Sequence, residues 1–260
     1  MVTFDPNSIK IDFMNALRSH IYPYQVTHSS SISLLSNGTI TQTFYPFASS
    51  INTVGLYIDS KLGNPGNITL KVYNGTSLIK SGTLASTIGW NYLSVNSGDI
   101  ITNRQSSLVT TANVTAGNDW FIGSNTLSSY YFGNAGTMQT AFTIGVKDFI
   151  YPVFPTKQLD NNEFPVISID ISGRPRIQDK YLSGDHVWYY LNMRAEIFSK
   201  FTNEVEKLIH GCDRGILNDR LSITNITYIT PGQLSELSFV RPDVYYRNIN
   251  WTLRSLISRE

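Results

Sequence analysis

In HVWYYLNMRAEI, residues 186–197, apolar and polar positions alternate over twelve residues. Val187, Tyr189, Leu191, Met193, Ala195 and Ile197 fall on one face, and His186, Trp188, Tyr190, Asn192, Arg194 and Glu196 on the other, which predicts a half-buried strand. The pattern then changes period. Phe201, Val205, Leu208, Ile209, Cys212 and Ile216 recur at helical spacing beneath charged positions, predicting an amphipathic helix. Strands are predicted before it at 164–171 and after it at 221–229 and 244–253. At the other end of the chain Asp5-Pro6 reads as a helix start, with Asp5 as cap and Pro6 at the first helical position, and Phe13, Met14, Leu17 and Ile21 follow at helical spacing. A lone helix of this length is marginal in water, so it is expected to pack on the C-terminal sheet.

The middle of the chain reads differently. In VGLYIDSKLGNPGNITLKVY, residues 54–73, Val54, Leu56 and Ile58 share one strand face, Ile68, Leu70 and Val72 share another, and GNPG supplies a turn. Further short runs at 89–95, 107–109, 118–122 and 139–144 are separated by Gly and Asn, the spacing of an all-β sandwich or jelly roll.

Charge density marks the same division. Residues 23–150 hold five basic and four acidic side chains, against fifteen of each sign in the rest of the 260-residue chain. Ile-Tyr-Pro stands at both breaks, at Ile21-Tyr22-Pro23 and Ile150-Tyr151-Pro152, and a residue before proline disfavours continuous helix. The predicted organisation is an α+β domain from residues 1–22 plus 151–260, with a small, mainly antiparallel sheet and packed helices. It carries an inserted all-β sandwich or jelly-roll domain, 23–150.

Twenty basic and nineteen acidic residues give a net charge of +1, which supplies no global attraction to nucleic acid or an anionic membrane. The single cysteine, Cys212, excludes an internal disulfide framework and any multi-cysteine zinc site. The opening residues carry no signal-peptide pattern, and the longest uncharged stretch, 120–146, is broken by Gly, Ser, Asn and Thr, so a soluble protein without membrane insertion is expected.

Candidate chemistry is sparse. His20, His28, His186 and His210 are in no metal-ligand spacing, and ordinary histidines are the commoner reading. Cys212 lies on an apolar helical stripe, the usual position of a small core residue. Asp170, Asp179 and Asp185 flank Gly173-Arg174-Pro175-Arg176, where a solvated loop outweighs an ion site. No phosphate loop or serine elbow occurs, and neither an enzyme nor a cofactor is expected. Six Asn-X-Ser/Thr sequons carry little weight in an Asn- and Thr-rich chain. In the middle block Trp90, Trp120, Tyr130, Tyr131 and Phe132 are aromatic. Trp120, Tyr130 and Tyr131 are the candidate glycan contacts, with core packing as the alternative. Trp188 and Tyr190, aromatic on a polar strand face, are candidate subunit-interface anchors.

PNSIKIDFMNALRSHI, IYPVFPTKQLDNNEFPVISIDI, the strand ending NMRAEIFSK, the helix FTNEVEKLIHGCDRGI and the final VYYRNINWTLRSLI together resemble the tail-terminator (tail-completion) proteins of tailed bacterial and archaeal viruses. The resemblance covers roughly the first 22 and last 110 residues and rests on element order and local texture. It implies an α+β fold and a homo-oligomeric ring, commonly a hexamer. Such a ring caps the tail tube, joins it to the neck or connector beneath the head, and passes DNA through its lumen without sequence-specific binding. It also implies a location in the virion tail and neck, after assembly in the host cytoplasm. ITQTFYPFASSINTVGLYIDSKLGNPGNITLKVY, GWNYLSV and YYFGNAG are similar to a jelly-roll module of viral and surface proteins, often linked to carbohydrate. A tail terminator does not normally contain one. Other readings stay open: a glycan-binding adhesin of the virion, another neck or head-closure component, and an enzyme.

Overall fold

The structure, a computed structural model, describes residues 5–48, 50–97, 100, 103–125, 139–146, 148–155, 159, 163–178 and 186–258. It is mostly β, with largely antiparallel sheets and few helices. The chain divides into two compact units, Met1–Ile21 with Asp148–Glu260, and Tyr22–Lys147.

Helix α1 (Pro6–Ile21) opens the first unit. The Asp5 carboxylate caps it by accepting the Asn7 N–H at 3.0 Å. Ile9, Phe13, Met14, Leu17 and Ile21 form its buried stripe.

The second unit follows as β1 (Tyr24–Gln25), β2 (Ser30–Ser33), the single turn α2 (Leu34–Asn37), β3 (Thr39–Phe44), β4 (Ile51–Leu62), β5 (Ile68–Asn74), β6 (Ser77–Thr83), β7 (Gly89–Ser97), β8 (Ser106–Ala112), β9 (Asp119–Asn125), β10 (Gln139–Thr140) and β11 (Phe142–Val146). Among the described residues these build one sheet in the order β1-β11-β4-β9-β10, with β2 on β9 and β7 on β4, and a second in the order β3-β8-β5-β6. The GNPG turn joins strands of different sheets, because β4 belongs to the first and β5 to the second. Val54, Leu56 and Ile58 therefore share one core with Ile68, Leu70 and Val72, all fully buried. Gly63, with φ of 63°, turns so tightly that a Cβ would stand 2.2 Å from the Gly117 carbonyl oxygen.

The chain then returns to the first unit with β12 (Ile150–Tyr151), β13 (Val166–Ile171), β14 (Arg176–Gln178), β15 (His186–Ser199), α3 (Thr202–Asn218), β16 (Tyr228–Ile229), β17 (Gln233–Leu234), β18 (Ser238–Arg241) and β19 (Val244–Ser258). β15 and β19 pair antiparallel from His186↔Ser258 to Ser199↔Tyr245, a long ribbon at the centre of the sheet. β13 and β14 follow one another along the outer edge of β15, and β16, β17 and β18 along that of β19. Among the described residues only β12 and β13 pair parallel. Leu191, Met193, Ala195, Ile249, Trp251 and Leu253 are buried on the helix side. There the Phe13 ring of α1 meets Trp251 edge-on at 5.1 Å. The predicted strand 221–229 is mostly absent. A 3-10 turn, Arg220–Ser222, leaves Leu221 87% exposed, and Asn225 takes φ of 62°, so only Tyr228–Ile229 reaches the sheet.

Candidate functional site

The strand period that buries Leu191 and Met193 sends Trp188, Tyr190 and Asn192 to the opposite, open face of the first unit's sheet. Register sets their neighbours. Arg176 of β14 pairs with Tyr190, Tyr190 with Arg254 of β19, and Arg254 with Tyr228 of β16. Four strands thus place arginine and tyrosine alternately in one cross-strand row. The Arg254 guanidinium carbon lies 5.3 Å from the Tyr190 ring centre and 5.4 Å from that of Tyr228. Each such contact contributes about 0.5–1 kcal/mol when partly exposed.

Beside the row lies an open groove of about 470 Å³ lined by Arg174, Arg176, Ile177, Tyr190, Asn192 and Thr252. Its lining holds two guanidinium groups and no acid. Thr252 donates its hydroxyl to Asn192 Oδ1 at 2.9 Å, and the Asn192 amide nitrogen makes no hydrogen bond among the described residues. Arg254 Nε is buried without an acceptor among the described residues. Guanidinium groups stay charged at any ordinary pH and present planar donor forks, so the groove is suited to a carboxylate or another oxyanion.

Further along the same face the charges are paired. Arg194 lies 3.4 Å from Glu196 and 3.9 Å from Asp170, and Tyr246 donates to Glu196 at 3.3 Å. Burial, foremost, raises the Tyr246 phenol above its ordinary pKa; the hydrogen bond from Asn248 acts the other way.

A second patch follows the β19 edge at the far end of the ribbon. Leu234, Leu237, Phe239 and Val240 are exposed there, Phe239 by 67%. Glu236 lies among them, exposed and without an ion pair among the described residues. Asp243 is held by Arg241 at 3.1 Å.

No protein-family model matches the chain, and no curated protein matches its sequence.

Of the aromatics singled out in the sequence, Trp188 and Tyr190 lie on this open face, both half-buried. Trp120 does not serve as a surface contact. It is 3% exposed within the second unit's core, its indole N–H donates to the Gly66 carbonyl at 2.7 Å, and Lys61 Nζ sits 5.9 Å from its ring centre. Tyr130 and Tyr131 lie outside the described residues. Tyr228 and Arg254 escaped sequence reasoning because only strand register brings them together, and Arg176, read in the sequence as part of a solvated loop, instead begins β14 and joins the row. Alternation within 244–253 was the available signal, since continued to residue 254 it puts Arg254 on the polar face with Thr252.

His20 Nε2 stands 3.0 Å from Asp219 Oδ2, which also accepts the Ser19 hydroxyl, tying the end of α1 to the end of α3. Cys212 is fully buried, and burial pushes its thiol far above the usual range, with Asp213 adding to the effect. Among the described residues no group of three or more His, Cys, Asp or Glu side chains is placed to hold a metal, and no helix is long and apolar enough to cross a membrane.

Proposed function

We propose that the protein is a ring-forming structural component of a tailed virus, a tail terminator that caps the tail tube and joins it to the head-side connector. Its body is an α+β domain made by the first unit. The second unit is an inserted jelly-roll-like domain that decorates the outside of the ring.

One observation carries the reading. A single sheet bears two unlike patches at opposite ends of its β15–β19 ribbon, the Arg174/Arg176 groove beside the row of Arg254, Trp188 and Tyr190, and the apolar strip with Glu236. A closed ring needs head-to-tail contacts in which one patch meets a different patch on the next copy. Here the signs of charge are complementary, and both patches supply exposed apolar or aromatic anchors. The element order that resembles tail terminators supports the same reading. Neither patch offers a nucleophile beside a base, so the ring's work is mechanical, and DNA passes through the lumen without sequence-specific contacts.

The test is the mass and symmetry of the purified protein, by light scattering and negative-stain imaging, with and without tail tubes. Closed rings, or rings seated at one tube end, are the expected result, and Arg254→Glu is expected to abolish them. A protein that stays monomeric and ignores tubes refutes the assignment.

A further inference from the structure

The outer face of the second unit's larger sheet carries a run of rings that its core does not need. Tyr57 of β4 pairs directly with Trp90 of β7, and Gly55 with Tyr92. A Cβ on Gly55 would lie 2.8 Å from the Tyr92 ring, and one on Gly123 of β9 would lie 2.9 Å from Tyr57 and 3.1 Å from His28. Tyr92 and Tyr57 therefore come so close to glycine backbone that no side chain would fit beneath them.

They form a continuous series. His28 lies against Tyr57 with ring centres 4.2 Å apart and planes tilted by 34°, Tyr57 meets Trp90 edge-on at 5.5 Å, and Trp90 runs nearly parallel to Tyr92 at 6.1 Å with an interplanar angle of 19°. Tyr92 is 61% exposed. Asp59, two residues along the same face of β4, approaches His28 Nε2 at 3.4 Å.

The remaining outward positions of these strands narrow the ligand. Thr53, Ser94, Thr143 and Gly145 beside the rings are small, and Phe121, two residues from Gly123 on the same face of β9, adds a half-buried ring. The core of a protein interface is depleted in charged residues such as Asp59, and nucleic acid requires cations for its phosphates, which none of these positions supplies. A polyhydroxylated ring matches this face. Its polarised C–H groups pack on the negative face of an aromatic ring, while its hydroxyls bond to carboxylate and imidazole. Aromatic shielding of sheet glycines accounts for the rings over Gly55 and Gly123. It does not account for Trp90 running alongside Tyr92, nor for the Asp59 carboxylate beside His28 at the other end of the series.

We infer that this face is a carbohydrate-binding platform, with pyranose rings stacked on Tyr92 and Trp90 and hydroxyls held by Asp59 and His28. The site is separate from the proposed ring contacts, so either reading can fail alone.

The full-length protein is applied to an array of hexopyranose oligosaccharides, and any glycan retained is titrated in solution by tryptophan fluorescence and calorimetry. Binding is expected, weakened about tenfold by Tyr92→Ala, the loss of about 1.4 kcal/mol of stacking, and also weakened by Asp59→Asn. Both side chains are partly exposed, so the variants keep the melting temperature of the parent. The platform is overturned if no arrayed glycan binds, or if Tyr92→Ala binds as well as the parent.

Discussion

Asp213 offers the sharpest test of how the first unit is held together. Its Oδ1 accepts the indole N–H of Trp251 at 2.8 Å and the backbone N–H of Gly232 at 2.9 Å, so one oxygen joins α3, the central strand β19 and the loop before β17. Gly232 comes this close because it has no side chain; a Cβ would lie 2.2 Å from Ile249 Cδ1 and 2.8 Å from Asp213 Oδ1. Trp251 is 1% exposed, so in Asp213→Ala its N–H has no water to turn to. A hydrogen bond to a charged acceptor contributes about 1.5–3 kcal/mol, and two bonds sharing one oxygen are not additive. The expected cost is therefore about 3 kcal/mol, a fall in melting temperature of about 10 °C for a unit of this size. Asp213→Asn keeps a neutral acceptor and is expected to lose about 1 kcal/mol. Urea denaturation followed by tryptophan fluorescence and near-ultraviolet circular dichroism measures both. A loss below about 1 kcal/mol for the alanine variant, or equal losses for the two variants, refutes the account.

Cys212 is expected not to react with a thiol reagent in the native protein and to react fully once the chain is unfolded. Its folded pKa is raised by burial, so its stabilisation is complete below the unfolded pKa of about 8.5 and is lost above it by about 1.4 kcal/mol per pH unit; thermal melts between neutral pH and pH about 10 check the sign, and unchanged stability of Cys212→Ser relative to the parent across that range counts against it. Replacing residues 24–147 by a short Gly/Ser linker is expected to leave a cooperatively melting first unit, because Arg18, near the end of α1, bonds Asp148 at 2.8 Å and the Ile150 carbonyl at 3.0 Å, holding the exit and return points together; a product without a cooperative melt or near-ultraviolet signal refutes that.

The elements legible in the sequence are those with one buried and one wet face. β15 and β19 announce themselves because Leu191, Met193, Ile249 and Trp251 alternate with Asn192, Arg194, Asn250 and Thr252, and α3 because its charged side contrasts with Val205, Leu208 and Cys212. The short edge strands β14, β17 and β18 lack that signal. Two to four residues cannot display a period, and they exist only through the bonds that β15 and β19 lend them. Leu221 to Ile229 misled for the converse reason, since apolar residues recur there and Ile223 and Ile226 are buried, yet the segment pairs with no strand until Tyr228. The turn in GNPG was visible, but not its destination: a turn motif fixes local φ and ψ, whereas whether the next strand pairs or crosses to another sheet is decided by which apolar face must be covered.

The same limit governs the candidate site. Alternation alone put Trp188 and Tyr190 on a polar face, yet a partner two strands away has no sequence separation by which to find it. Arg176, Arg254 and Tyr228 become a row only when register is known, and a slip of one residue would send every one of them to the other side of the sheet. Trp120 shows the reverse case. In DWFIGSN, the run of β9, aromatic and aliphatic residues occupy both faces, so alternation cannot say which side is inward, and the core took Trp120 and Ile122 and left Phe121 half-buried. Surface aromatics are therefore recognised less by residue type than by what lies beneath them. Tyr92 is exposed and Tyr57 half-buried on the outer face because glycine, not a second layer of side chains, is their floor, and that is a property of pairing across β4, β7 and β9.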